Sequence, residues 1–145
     1  MQIPVHELQD LVRRTLAKQG YNEQESATLL EVMMYAQLRG NNQGIVKLIG
    51  KGMPKNPSAG ELSTVRDTKL SALIDGGQNP GMVVMTLAMD KAVAKAKEHG
   101  FGMVGTFNTS SSTGAIGYYA NKIAQEGLIG WVFAGSPETV RTHGS

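Results

Sequence analysis

The feature that most constrains this chain is a glycine-punctuated order towards its C-terminal end. An apolar run, a hydroxyl-rich loop, a helical pattern and a second apolar run follow one another there. The apolar runs are Phe101 to Phe107 and Leu128 to Ala134, introduced by Gly100 and Gly127. Between them lie the consecutive polar residues Asn108 to Thr113 and a helical pattern from Gly114 to Glu126. Strand, loop, helix and strand at this spacing predict a βαβ crossover, and therefore parallel pairing. The polar loop falls where a βαβ unit carries a binding loop, with the first N–H groups of the helix turned towards a ligand. The chain then runs from Ser136 to Ser145 and stops in what reads as the middle of a motif.

Upstream, hydrophobic periodicity predicts helices. Val5, Leu8, Val12 and Leu16 share one helical face, and Gly20 is placed to stop that helix. Asn22 and Glu25 have the spacing of a capping pair, which opens a second helix from Glu23 to about Arg39. Its expected buried face is Ala27, Leu30, Met33, Met34 and Leu38. Residues 40–44 break the pattern, and Ile45 to Ile49 reads as a short helical or extended piece. Gly50, Gly52, Pro54, Pro57 and Gly60 make a loop of the next stretch. Leu70 to Ile74 reads as a strand that ends in the turn Asp75-Gly76-Gly77. Asn79-Pro80 opens a third helix with Met82, Met85, Met89, Ala92 and Ala96 as its core stripe, closed by Gly100. The fold class is mixed, α+β. A helical N-terminal region, 1–60, leads into an α/β region, 61–145, with a small sheet; the latter reads as truncated.

Composition removes several classes of function. The 145 residues are 41% hydrophobic and 18% charged, which suits a folded domain. A net charge of +2 with no basic block beyond Arg13-Arg14 offers nothing to nucleic acid. No cysteine excludes disulfides, a thiolate nucleophile and cysteine-based zinc. No acidic or histidine cluster has metal spacing, so no metal is expected. The N-terminus lacks the pattern of a secretory leader, and no apolar run has the length of a membrane span. A cytoplasmic protein without a membrane partner is the expectation. Gly100-Phe101-Gly102-Met103-Val104-Gly105 matches the dinucleotide pattern by letter, but it follows a helix and enters a strand, the reverse of what phosphate binding needs. His6 and His99 read as exposed and inert. Tyr118 and Tyr119 read as one buried and one partly exposed ring, and Trp131 as a core or interface anchor.

At its two polar loops the chain resembles the type-2 malate/L-lactate dehydrogenase family. The resemblance lies in Thr109 to Tyr119, in the helix ending Gly127-Leu128-Ile129-Gly130, in Asn42-Gln43-Gly44-Ile45-Val46-Lys47, and in the turn from Asp75 to Gly81. It runs over essentially the whole chain. The resemblance implies a nicotinamide-binding fold that is not Rossmann, NAD or NADP as cofactor, a small carboxylate substrate and a homodimer. Aligned on Gly114, the family's catalytic loop histidine falls on Ser112; aligned on Gly44, its second histidine falls on Gln43 and its substrate-binding arginine on Lys47. The implied site is therefore Ser112 and Gln43 at the reacting oxygen, Asn42 and Lys47 at the substrate, and Ser136 near the nicotinamide.

These departures have chemical consequences. An imidazole near its neutral pKa can exchange a proton with a carbinol oxygen during hydride transfer. A serine hydroxyl without a base and a glutamine amide cannot, although both can hydrogen-bond that oxygen and orient it. Lys47 can pair with a carboxylate as a point charge, without the bidentate fork of arginine. Two expectations follow: a dehydrogenase of small 2-hydroxy or 2-keto (or imino) acids, or a truncated, non-catalytic homologue that serves as a dimerisation or ligand-binding module.

Overall fold

A computed structural model of the chain describes residues 3–135. Two helices come first, α1 (Val5–Lys18) and α2 (Glu23–Gln37), followed by a 3-10 turn (Ile45–Leu48). The α/β part then runs β1 (Ser63–Asp67), β2 (Ser71–Asp75), α3 (Gly81–His99), β3 (Met103–Phe107) and α4 (Gly117–Gln125).

Local chemistry explains most of the element ends. Asn22 accepts a hydrogen bond from the Glu25 N–H at 2.9 Å, and the Glu25 carboxylate accepts one from the Asn22 N–H at 3.0 Å. This capping box satisfies two N–H groups that the first turn of α2 leaves unpaired. Asn22→Ala is expected to lower stability by about 1 kcal/mol in urea unfolding. An unchanged midpoint would show that the exposed cap contributes nothing. Further along, α3 closes on Gly100, whose φ of +80° suits a residue without a Cβ.

The sheet has three strands in the order β1-β2-β3, antiparallel between β1 and β2 and parallel between β2 and β3. The parallel pair is the two ends of a βαβ unit whose crossover is α3. Ala72 and Ile74 of β2 turn towards α3 and are buried, whereas Leu73, Met103 and Phe107 line the opposite, open face. A Cβ on Gly102 would stand 2.2 Å from the Ala92 carbonyl of α3. The glycines of the dinucleotide-like pattern therefore serve helix closure and close packing, not phosphate.

The main core gathers Val12, Leu16, Leu29, Met33, Met82 and Tyr119, so α1, α2, α3 and α4 share one apolar interior. A smaller cluster of Ile74, Val84 and Ala88 sits between α3 and the sheet. Lys91 and Lys95 of α3 reach Asp67 of β1 at 2.7 and 2.6 Å and fasten the outer strand to the helix.

Several expectations are corrected. The run Leu128 to Ala134 forms no strand. Its inward residues lie on helices instead: a Cβ on Gly130 would meet Ile123 of α4 at 2.7 Å, and Val132 packs on the helical core. The βαβ unit is thus the one around α3, one helix earlier in the chain. Trp131 is 82% exposed, not a core residue, and Ile129 and Phe133 are exposed beside it. Tyr118 and Tyr119 are both buried, because α4 packs on α2 and α3 at once. Ala27 and Leu38 of the expected α2 face are exposed, and Leu29, Val32 and Ala36 are buried in their place. The fourth helix begins at Gly117 rather than Gly114, whose φ of +74° lies outside helical space. One strand, β1, has no counterpart among the expected elements.

Candidate functional site

Two loops meet beyond the carboxyl ends of the parallel strands, the usual position of a ligand site in sheets of this kind. The first runs from Asp75 to Gly81, the second from Phe107 to Gly114. Backbone hydrogen bonds prolong the β2–β3 pairing past both strand ends. Gly76 N–H donates to the Phe107 carbonyl at 2.9 Å, Gln78 to Asn108 at 2.8 Å, Ser110 to Asn79 at 2.9 Å, and Gly81 to Ser110 at 2.8 Å. Two glycines make the approach possible. A Cβ on Gly76 would stand 3.0 Å from the carbonyls of Phe107 and Asn108, and one on Gly81 would stand 3.0 Å from the Ser112 backbone. Buried Asn79 ties the first loop down through its amide, which donates to the carbonyls of Gly60 at 2.7 Å and Gly76 at 3.0 Å.

The second loop is wound tightly. Asn108 and Ser111 hold φ values of +54° and +57°, in the left-handed region that non-glycine residues seldom occupy. Ser112 follows, with its hydroxyl accepting from the Gly114 N–H at 3.0 Å. The Thr113 carbonyl accepts from the buried Tyr119 hydroxyl at 2.7 Å, which anchors the loop to the core. Burial raises the Tyr119 pKa, so its phenol remains a donor throughout the physiological range.

Gln43 reaches this loop from the other half of the chain. Its segment is fixed by the end of α2: Asn41 N–H donates to the Ala36 carbonyl at 3.0 Å, and Ile45 N–H donates to the Gln37 side chain at 3.2 Å. Gly44 is packed so closely on Gln37 that a Cβ would stand 2.8 Å from the Gln37 Oε1. The Asn41 side chain accepts from the Gln43 N–H at 2.8 Å. The result is a direct bond across 69 positions, with Ser112 Oγ donating to Gln43 Oε1 at 3.3 Å. Gln43 Nε2 donates one proton to Asn42 Oδ1 at 3.2 Å. A side-chain amide nitrogen carries two protons, and the second has no partner among the described residues.

Of the residues singled out in the sequence, Ser112, Gln43 and Asn42 are therefore joined in one hydrogen-bonded group. Lys47 lies on the 3-10 turn four residues beyond Gln43, half-buried. No carboxylate of the described residues lies within 4.0 Å of its ammonium, and burial lowers its pKa. Lys47 makes no hydrogen bond to Ser112 or Gln43 among the described residues. Ser136 lies outside the described residues. Sequence reasoning missed Gln37, Gln78 and Asn108 as supports of the site; no local pattern marks an amide whose partners are distant in the chain. Two hollows of about 510 and 460 Å³ lie elsewhere, around Glu31, Tyr118 and Lys122 on the helical side. Lys122 pairs there with Glu31 and Lys97 with Glu126.

Comparison with known proteins adds the lineage. The malate/L-lactate dehydrogenase family matches residues 3–145. A malate dehydrogenase of Pyrococcus abyssi is 33% identical over 138 residues, which is 90% of this chain and 37% of that protein. A ureidoglycolate dehydrogenase (NAD(+)) of Escherichia coli O157:H7 is 29% identical over 137 residues, 90% of this chain and 38% of that one. Among solved structures, the malate dehydrogenase of Pyrococcus horikoshii OT3 superposes with a TM-score of 0.77 at 31% identity, covering 88% of this chain and 38% of the other. The chain thus spans well under half the length of these relatives. By the family match along nearly all of its length, the chain belongs to the malate/L-lactate dehydrogenase family.

Proposed function

We propose that this chain carries the substrate-orienting part of an NAD(P)-dependent dehydrogenase that interconverts a small 2-hydroxy acid and its 2-keto (or imino) counterpart. The observation that supports it most is the Ser112–Gln43 hydrogen bond, which joins two polar loops beyond the carboxyl ends of the parallel β2–β3 pair. The donor set suits a substrate of this class better than a phosphate. Gln43 Nε2 has a proton left for a carbonyl or hydroxyl oxygen, and Ser112 holds the amide in place through the other end. A half-buried ammonium at Lys47 suits a carboxylate that must shed part of its water.

When bound, a nicotinamide supplies or accepts the hydride. Ser136, the residue assigned to it by resemblance, lies outside the described residues, whereas Ser112, Gln43, Asn42 and Lys47 serve the substrate side. Gln43 orients the reacting oxygen and stabilises charge that develops on it, and Ser112, whose one proton goes to Gln43 Oε1, fixes that amide in place. Neither side chain ionises near neutral pH, so neither moves a proton as an imidazole would. The proton that accompanies hydride transfer is therefore supplied by neither of them. The working unit is a homodimer in the cytoplasm, and light scattering on purified protein checks the dimer.

Titration of NADH and NADPH nicotinamide fluorescence with the purified chain tests the reading. A saturable change that strengthens on adding a 2-oxo acid is expected. No binding at millimolar cofactor would leave the non-catalytic homologue as the reading for this chain. Lys47→Gln is expected to weaken binding of a small 2-oxo acid about 10-fold, the equivalent of one charge-assisted hydrogen bond, while Lys47→Arg keeps it. Equal affinities in all three proteins would remove Lys47 from the site.

A further inference from the structure

Behind Ser112 runs a chain of side-chain amides that the proposed role leaves unused. Asn56 Nδ2 donates to Gln78 Oε1 at 3.1 Å, Gln78 Nε2 donates to Asn108 Oδ1, and Asn108 Nδ2 donates to Asp75 Oδ1 at 2.7 Å. Asp75 Oδ1 also accepts from the Gly77 N–H at 2.8 Å. The chain therefore starts on one loop, crosses both site loops and ends on a carboxylate at the tip of β2.

Its two middle members share an unusual backbone. Gln78 has φ +60° and Asn108 has φ +54°, and neither is glycine. Such conformations cost about 1 kcal/mol or more each and persist where the surroundings over-determine them. Here the side chains of the two residues bond to each other, and the Gln78 N–H donates to the Asn108 carbonyl at 2.8 Å. Nothing in a connection between β3 and α4 requires two strained residues to face one another across two loops. Asparagine is the side chain that tolerates this backbone while offering both a donor and an acceptor.

We infer that Asn108, clasped between Asp75 and Gln78, is a positioning residue that sets the place of Ser112 against Gln43. The inference rests on the proposed role of the Ser112–Gln43 couple. Asn108 sets the direction in which the loop leaves β3; Ser110 is then paired with Asn79 and Gly81, and Ser112 lands 3.3 Å from Gln43. The alternative is that the backbone pairing alone fixes the loop and the amide clasp is decoration.

Asn108→Gly separates the two, because glycine accepts the left-handed backbone and deletes only the clasp. The readout is the side-chain amide signal of Gln43 in nitrogen–proton NMR spectra of the full chain, recorded for wild type, N108G, S112A and the double variant. The expected result is that N108G moves the Gln43 amide signals in the direction S112A moves them. Pyruvate affinity should fall about 3- to 10-fold in each single variant, with no further loss in the double. A folded N108G with wild-type Gln43 signals and only a lowered unfolding midpoint overturns the inference. So would an S112A variant that leaves the Gln43 signals in place. If S112A moves those signals but leaves pyruvate affinity unchanged, the proposed substrate role fails, and the Gln43 signals of N108G still decide on the clasp. Should N108G not fold, Q78G, which also frees a left-handed position, is read in the same way.

Discussion

Tyr119→Ala is expected to lower the stability of the chain by about 4 kcal/mol, the range for removing a fully buried aromatic ring. Tyr119 is wholly inaccessible to solvent, and its ring meets Tyr118 edge-on with centroids 5.2 Å apart. Tyr118 in turn stands edge-on to Tyr35 of α2 at 5.6 Å. Removing the Tyr119 ring opens a void in the core that α2, α3 and α4 share. A loss of this size should lower the melting temperature by more than about 10 °C in calorimetry. Tyr119→Phe isolates the hydroxyl. It leaves the Thr113 carbonyl without its donor, at a cost of about 1 kcal/mol. It should also broaden the amide signals of the loop that carries Ser112. A Tyr119→Ala protein that melts within a few degrees of wild type would mean that the core can collapse around the hole, and that α4 contributes little.

Gly114→Ala should cost about 3 kcal/mol, from two sources. The left-handed backbone at φ +74° contributes about 1–2 kcal/mol for any L side chain. Overpacking supplies the rest: the new Cβ would lie 2.7 Å from Val32 Cγ1 and 3.2 Å from Met82 Cγ. Val32 and Met82 are both fully buried, and the branched Val32 has little freedom to turn away. Gly127→Ala is the matched control. Its φ is +75°, almost the same, yet nothing lies within 4 Å of the added Cβ. The difference between the two variants in urea midpoints therefore measures the clash alone. If both lose the same stability, the contact with Val32 is not what requires glycine at position 114.

Much of the helical framework was legible because its signals are local. The Asn22–Glu25 capping box, the left-handed Gly100 at the end of α3 and the stripe around Met82 depend on residues a few positions apart. The strand β1 was not legible for the opposite reason. Ser-Thr-Val-Arg-Asp is exposed at every position, and it is a strand because β2 pairs with it and α3 holds Asp67 through two lysines. The run from Leu128 to Ala134 misled for a related reason. Its alternation reveals two faces but not what the inner face touches, and here that is Ile123 of α4. Consecutive Tyr118 and Tyr119 lie about 100° apart around a helix, a spacing that suggests one buried ring until a second helix covers the other side. The candidate site was readable only through family resemblance. Nothing in spacing or periodicity joins Gln43 to Ser112, and the supporting amides of Gln37, Gln78 and Asn108 carry no signature of their own.

The outward-facing indole at position 131 offers a ready optical gauge. It is the sole tryptophan of the chain, so indole emission excited at the red edge of its absorption comes from one place. Surrounded by water, it should emit far to the red. Any polypeptide that settles over Ile129, Trp131 and Phe133 would draw the maximum towards the blue, reporting the covering of that surface without a label.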